Sequence, residues 1–138
     1  MIDILVTDDN DDHLRLIAMI LSGEGRRVWV ARDATDALAL MQRRPYALAI
    51  FDIRMPDMDG IELASRLRQT AGDVPLLFLT AGQLEPENLA RIYGLASMRE
   101  ILPKPIDADV LEAVAEGLLG NGPISTPRAI MSRLAGGL

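Results

Sequence analysis

One acid in this 138-residue chain, Asp52, stands where a carboxylate could serve as a ligand or a nucleophile. It ends the apolar run of residues 48–51 and precedes a loop that contains Pro56 and Gly60. Such a run is typical of a strand buried on both faces, and open α/β sheets bind ligands at the carboxyl ends of their strands. Burial of an acid there is favourable only if it is paired, bound to a metal or reactive, although Asp also precedes turns as an ordinary capping residue.

Other polar residues follow other β-type runs in the same way. They are Asp8 and Asp9 after residues 2–7, Thr80 and Ala81 after residues 74–79, and Lys104 after a short run near Ile101 and Leu102. Parallel strands end at one edge of a sheet, so we expect these residues to share that edge with Asp52. Crowded carboxylates raise one another's pKa unless a cation offsets their charge, and oxygen-only ligands suit Mg²⁺. A carboxylate nucleophile, a metal ion, a hydroxyl, a backbone N–H and an ammonium are the parts of a phosphoryl-transfer site.

The hydrophobic pattern alternates between two periods and predicts five strands, each followed by a helix. Asp33 and Asp107 are the expected N-caps of the second and fifth helices, and the inner face of the fourth helix carries Ile92 and Tyr93. This alternation predicts parallel, right-handed crossovers and therefore a doubly wound α/β domain with helices on both faces of the sheet. The pattern alone leaves the strand order open.

Composition excludes several other classes of protein. With 49% hydrophobic residues the chain can bury one core, and without Cys it has no disulfide or thiolate metal site. A net charge of −6 with no basic run argues against a nucleic-acid surface, and no apolar run approaches the ~20 residues of a membrane span. We expect a soluble, cytoplasmic protein. The only histidine, His13, falls on the polar side of the first helix, where we expect a solvated surface residue and not a phosphodonor.

The ordered set of polar residues resembles the receiver domain of two-component response regulators. The resemblance rests on Asp8-Asp9, Asp52, Thr80-Ala81 and Lys104-Pro105, with Met55-Pro56 and Asp59-Gly60 in the third loop, and it covers roughly residues 2 to 119. It implies a flavodoxin-like (βα)5 fold of the chemotaxis-regulator type, with a parallel five-stranded sheet of order 2-1-3-4-5.

The resemblance also implies a role for each residue of the set. Asp52 would be the phosphoacceptor. Mg²⁺ would be held by Asp9, Asp52 and the backbone carbonyl of Arg54, with Asp8 helping through water. Thr80 and Lys104 would contact the phosphoryl oxygens, the small Ala81 side chain would leave the phosphorus open to attack, and the Lys104-Pro105 bond would be cis.

Partners follow from the same resemblance. The domain would accept its phosphoryl group from a histidine kinase or a histidine phosphotransfer protein and would switch binding to a downstream protein effector. It would be a signalling module and not an enzyme, apart from assisting its own phosphorylation and dephosphorylation. Two copies could pair through the fourth helix, fifth strand and fifth helix, and no direct contact with nucleic acid or membrane is expected.

Two departures from the family pattern keep alternatives open. Receivers commonly carry Tyr or Phe three residues before the lysine, where this chain has Ile101, and the stretch from Thr80 to Lys104 is a couple of residues longer than usual. A pseudo-receiver that binds a partner without phosphorylation is one alternative. A phosphatase of the haloacid dehalogenase type is another, although such enzymes need an acid at the position of Arg54. A dinucleotide-binding domain fails because no Gly-rich phosphate loop follows the first strand.

The last residues form a separate segment. We expect a receiver domain over residues 1–119 and a Gly- and Pro-rich linker with a short tail over residues 120–138. Thr126 is a reasonable N-cap, so residues 127–135 can form one short helix with an apolar stripe. That stripe either docks on a surface or belongs to the remnant of a linker to a further domain.

Overall fold

The computed structural model describes residues 1–23, 25–95 and 98–120. The strands are β1 (Ile2–Thr7), β2 (Arg26–Ala31), β3 (Leu48–Asp52), β4 (Leu76–Ala81) and β5 (Met98–Lys104). The helices are α1 (Asp11–Leu21), α2 (Ala34–Met41), α3 (Gly60–Ala71), α4 (Pro86–Tyr93) and α5 (Ala108–Leu119). The predicted residues 127–135 of the tail lie outside the described residues.

The five strands form one parallel sheet in the order β2-β1-β3-β4-β5. This order and the five following helices confirm the flavodoxin-like doubly wound fold. The apolar side chains of the central strands alternate between two cores, as the period of a strand requires. Ile4 and Val6 of β1 pack with residues of α1 and α5 on one face, whereas Leu5 packs with residues of α2, α3 and α4 on the other.

Polar caps start the helices close to the strand ends. Asp33 and Asp107 cap α2 and α5 as predicted, and Asn10 and Asp59 cap α1 and α3 by accepting hydrogen bonds from backbone N–H groups of the first turn. Each cap fixes the point at which a loop at the carboxyl edge of the sheet ends. The loops after β1 and β5, residues 8–10 and 105–107, are therefore short.

The region around α4 and β5 departs from the sequence prediction. The predicted strand around Ile101 and Leu102 is confirmed, but with seven residues β5 is longer than expected, because it continues to Lys104 with an irregularity opposite Leu76 and Leu77. α4 ends at Tyr93, whose ring is 36% exposed. Of the apolar residues predicted for this helix, Ile92 is buried in the core, whereas Tyr93, at the end of the helix, is exposed. In the described residues, no helix is long and apolar enough to cross a membrane.

Gly60, the first residue of α3, lies against the end of β3. Its N–H donates to the carbonyl oxygen of Ile53 at 2.8 Å, and a Cβ at this position would overlap the carbonyl oxygen of Asp52. The close approach of the helix start to the strand end therefore requires a residue without a side chain. Gly60 thus fixes the backbone directly at the candidate site.

We expect Gly60→Ala to lower the free energy of unfolding by about 1–3 kcal/mol, because the added methyl group forces the strand end and the helix start apart. Urea unfolding followed by circular dichroism measures the difference. Gly94→Ala is the matched control: its added Cβ would meet nothing closer than 3.5 Å, and the change should leave stability within ~1 kcal/mol of the wild type. Equal unfolding midpoints for wild type and Gly60→Ala would contradict the overlap.

Candidate functional site

The two buried acids of the predicted set lie on neighbouring strands at the carboxyl edge of the sheet. Asp52 is the last residue of β3, and Asp8 directly follows β1, where Thr7 is paired with Phe51. Their exposed fractions are 5% and 0%, whereas Asp9 is exposed. One carboxylate oxygen from each acid lies within 4.8 Å of the others. The structure therefore brings together the three acids that the sequence predicted to share an edge.

Lys104 joins the two buried acids. It is the last residue of β5, and its Nζ atom donates to Oδ2 of Asp8 at 2.8 Å and to Oδ2 of Asp52 at 3.0 Å. The long side chain is needed because β4 lies between β5 and β3 in the sheet. The predicted cis bond between Lys104 and Pro105 is confirmed.

Backbone N–H groups hold the other oxygen of each buried carboxylate. Oδ1 of Asp8 accepts from the N–H of Asn10 at 2.9 Å, and Oδ1 of Asp52 accepts from the N–H of Arg54 at 3.2 Å. Each carboxylate is thus fixed by the loop that follows its own strand, and its Oδ2 atom faces Lys104. This arrangement orients both acids toward a common point.

One ammonium facing two buried carboxylates determines the ionisation of the group. Burial raises the pKa of Asp52, the hydrogen bond from Lys104 lowers it and the charge of Asp8 raises it again, so the net shift is upward. For Lys104, burial lowers the pKa, but the hydrogen bonds to Asp8 and Asp52 outweigh burial and raise it. Lys104 therefore stays charged. Because its single positive charge is shared between Asp8 and Asp52, the negative charge of Asp52 is only partly compensated.

The cluster fits a small divalent cation. Asp8, Asp9 and Asp52 carry three negative charges, and the single ammonium of Lys104 leaves two of them unbalanced. The donors are all oxygens, which is the ligand type that Mg²⁺ and Ca²⁺ take. Few protein ligands and an exposed side at Asp9 suit Mg²⁺ best, since this ion keeps several of its waters.

The remaining predicted residues lie on the adjoining strand and loop. Thr80 and Ala81 end β4, one and two residues beyond Leu79, which is paired with Asp52. Thr80 is buried and Ala81 is exposed, so a group bound at the edge can reach the backbone and the small side chain of Ala81. Arg54 lies in the loop directly after Asp52, and a ligand role for its carbonyl stays a prediction.

The expectation that His13 is a solvated surface residue was wrong. Its Nδ1 atom lies 3.1 Å from Nζ of Lys104 and 3.4 Å from Oδ2 of Asp8, and its side chain is only 34% exposed. Helical spacing placed it correctly on the side of α1 away from the core, but that side faces the carboxyl edge of the sheet at the first turn. The signal in the sequence is its position five residues after Asp8, in the first turn of a helix that starts beside the site.

Two further acids, which the sequence analysis did not assign to the site, fasten the loop between β3 and α3 to neighbouring helices. Asp57 accepts from the N–H groups of Ala34 and Thr35 at 3.2 and 3.3 Å, at the start of α2. Asp59 accepts from both terminal nitrogens of Arg91 in α4, at 3.0 and 3.3 Å. Asp before a helix is recognisable as a cap, but the sequence does not reveal a partner on a different helix.

The fold and this cluster define a class: an open α/β domain with three acids and a lysine at the carboxyl edge of its parallel sheet. The sequence profile described as the response regulator receiver domain matches residues 4–116. The chain belongs to the response regulator receiver domain family. The resemblance seen in the sequence is confirmed.

Curated relatives include both short and long proteins. An uncharacterized 14.6 kDa protein of Leptolyngbya boryana is 37% identical over 107 residues, which are 76% of this chain and 80% of that protein. The transcriptional regulatory proteins ZraR of Klebsiella oxytoca and TcrA of Mycobacterium tuberculosis are each 33% identical over 93% and 90% of this chain, respectively. This chain spans only 30% of ZraR and 48% of TcrA, so the match covers part of those regulators.

Solved structures of similar fold cover most of the chain. Chemotaxis protein CheY4 of Vibrio cholerae is 25% identical, with a TM-score of 0.75 over 86% of this chain and 98% of that one. A CheY-like receiver domain protein of Methanospirillum hungatei JF-1 is 31% identical, with a TM-score of 0.76 over 86% of this chain and 94% of that one. Both match nearly the whole of a single-domain structure.

The contacts of Asp57 predict a pH dependence of stability. The N–H groups of Ala34 and Thr35 lower the pKa of Asp57 below its ordinary value of 3.8. The folded protein therefore favours the carboxylate, and the stabilisation is complete above that value and lost as the pH falls through the lower pKa of the folded state. Asp57→Asn should reduce the free energy of unfolding at neutral pH, and the difference should shrink toward about pH 3.

Urea unfolding of both proteins between about pH 3 and pH 7 measures this difference. Asp109→Asn, which removes an exposed acid from the first turn of α5, is the matched control for the loss of a charge at a helix start. A difference between wild type and Asp57→Asn that stays constant over the whole range would show that the charge of Asp57 is not what the α2 amides recognise.

Proposed function

We propose that this domain accepts a phosphoryl group on Asp52 from a phosphohistidine of a kinase or a histidine phosphotransfer protein. The observation that carries the proposal is the shared contact of Lys104 with Asp8 and Asp52, beside Asp9. This contact presents a buried, oriented carboxylate next to an ammonium, and the negative charge that it leaves unbalanced suits a divalent cation. These are the requirements for transfer of a phosphoryl group to a carboxylate.

Each residue has a defined task in the proposed transfer. An oxygen of Asp52 forms a bond to phosphorus while the bond between phosphorus and the donor nitrogen breaks, and that nitrogen keeps the electron pair. Lys104 turns an N–H from Asp52 to a phosphoryl oxygen, and the hydroxyl of Thr80 donates to another. The small side chain of Ala81 leaves space for the donor and, later, for the water that hydrolyses the phosphoaspartate.

Mg²⁺ would be held by Asp8, Asp9, Asp52 and the carbonyl of Arg54, and when bound it would supply the positive charge that the incoming anion needs. Asp8 and Asp52 are already aligned by the N–H groups of Asn10 and Arg54, so binding requires little rearrangement of either acid. The charge of the cluster supports this assignment, since two negative charges remain after the ammonium of Lys104 is counted.

The output of the proposed switch is a change in protein binding, reached by a shift between two populations of the domain. Relatives that are transcriptional regulators support a downstream protein effector, in the same chain or in another.

One observation favours a second candidate, a module that binds its partner without phosphorylation: Ile101, at the usual aromatic position, is fully buried in the core already. Chemical labelling separates the two candidates.

Treatment with a small phosphodonor and Mg²⁺ should add one phosphoryl mass to the protein, and Asp52→Asn should abolish the addition. Chelation of divalent cations should slow labelling by about 100-fold or more, because the incoming anion then meets uncompensated carboxylates. Intact mass spectrometry measures both effects, and Asp109→Asn, an exposed acid on α5, is the matched control that keeps the label. Labelling of Asp52→Asn, or labelling unchanged by chelation, refutes phosphorylation at this site.

Occupation of the site should move Thr80 and leave the rotamer of Ile101 unchanged. Thr80 ends β4 beside Asp52, whereas Ile101 is fully buried opposite Phe78 and is branched at Cβ, which restricts its χ1 angle. Crystal structures with and without beryllofluoride, a stand-in for the phosphoryl group on Asp52, provide the comparison. A swing of Ile101 between an exposed and a buried position would show that this chain uses the side chain as other receivers use their aromatic ring.

A further inference from the structure

The ammonium of Lys104 has three acceptors, and only two of them are acids. The third is Nδ1 of His13, at 3.1 Å from Nζ. A lysine ammonium has three N–H donors and no acceptor, so the contact is a hydrogen bond from Nζ to Nδ1 in the tautomer that carries the ring proton on Nε2. Asp8, Asp52 and His13 together use all three donors of Lys104.

The position of His13 is fixed by the start of α1. Asn10 caps the helix by accepting hydrogen bonds from the N–H groups of Asp12 and His13, at 2.9 and 3.1 Å. The next residue, Leu14, is buried, as is Ile17 one turn further on. Because the cap and the buried side chains define both the start and the rotation of the helix, the imidazole is presented to Lys104 by a rigid element.

The three acceptors of Lys104 have different roles in the proposed transfer. Asp52 must give its oxygen to phosphorus, and Asp8 must share its carboxylate with a divalent cation, so both contacts with Lys104 change during the reaction. His13 is neither a proposed metal ligand nor a reacting group. Its contact with Lys104 can persist throughout, and it fixes the ammonium at the end of a flexible four-carbon stem while the contacts with the two acids change.

We propose that His13 is a positioning residue, which holds the Lys104 ammonium beside Asp52 through Nδ1. It does so while the contact of Asp8 with Lys104 gives way to the metal ion and the contact of Asp52 gives way to the phosphoryl group. The inference deepens the function proposed above and rests on it. It assigns to α1 a part in the chemistry and not only in the packing of the domain.

The effect of His13 is measured by the rate of labelling with phosphoramidate in the presence of Mg²⁺. His13→Leu removes the acceptor at similar size and should slow labelling by about threefold to tenfold, the value of one partly exposed hydrogen bond. His13→Asn restores an acceptor near the position of Nδ1 and should return the rate to within about twofold of wild type. Met19→Leu, on the same helix at a side chain that is 78% exposed, is the control and should label at the wild-type rate.

A double-mutant cycle separates positioning of Lys104 from a general structural effect. If His13 acts through Lys104, then His13→Leu should have no further effect in a Lys104→Met background. A rate for His13→Leu equal to that of wild type, or equal slowing by His13→Leu with and without Lys104, would overturn the inference. Thermal unfolding of each variant identifies any that fails to fold, in which case His13→Asn and its cycle decide the matter.

A second measurement does not depend on phosphorylation. The ¹⁵N signal of the Lys104 ammonium in the untreated protein should exchange slowly with water in wild type and in His13→Asn, and rapidly in His13→Leu. If the wild type takes up no phosphoryl group, the proposed function fails, and this signal alone decides whether His13 holds the ammonium. Identical exchange in wild type and His13→Leu would refute the contact.

Discussion

The structure depends on one shared charge: the ammonium of Lys104 lies between the buried carboxylates of Asp8 and Asp52. Burial of two like charges at adjacent strand ends is unfavourable, and a single cation offsets only part of the cost. Burial is the main cause of the raised pKa of Asp52, and the charge of Asp8 raises this pKa further against the lowering effect of Lys104. A better compensated site would make a more stable domain but would have less affinity for a divalent cation and a weaker nucleophile. The residual charge therefore suits this edge of the sheet to the cation binding and phosphoryl transfer proposed above.

The strand order makes this arrangement possible. β1 and β3 are neighbours, so their terminal acids are adjacent, whereas β5 is separated from β3 by β4. A cationic residue with a short side chain at the end of β5 would not reach Asp52, whereas the long side chain of Lys104 extends past β4 to it. Gly60 and the caps of α1 and α3 then keep the loops after β1 and β3 close to the strand ends. The geometry of the site follows from a few local backbone requirements together with one long side chain.

Those local requirements also explain which features the sequence could predict. Apolar runs with polar residues at their ends predict the strands, two of the caps, and the shared edge of Asp8, Asp52 and Lys104. Each of these patterns involves residues that are close together in the sequence. The contact of His13 with Lys104 joins residues 91 positions apart, and it depends on how α1 is rotated on the sheet. The contact of Asp59 with Arg91 and the length of β5 likewise depend on the packing of α4, which no local pattern specifies.

The loop between β3 and α3 has a consequence that concerns mechanics rather than chemistry. Within three residues it carries Asp57, bound to the first turn of α2, and Asp59, bound to Arg91 of α4. The loop begins at the acid on which the proposed chemistry takes place. Any displacement of the loop would therefore pull on both contacts at once, that of Asp57 with α2 and that of Asp59 with α4. The stiffer of the two contacts would pass more of the displacement on to its helix. The relative strength of these two carboxylate contacts would decide whether a movement at the site displaces α2 or α4.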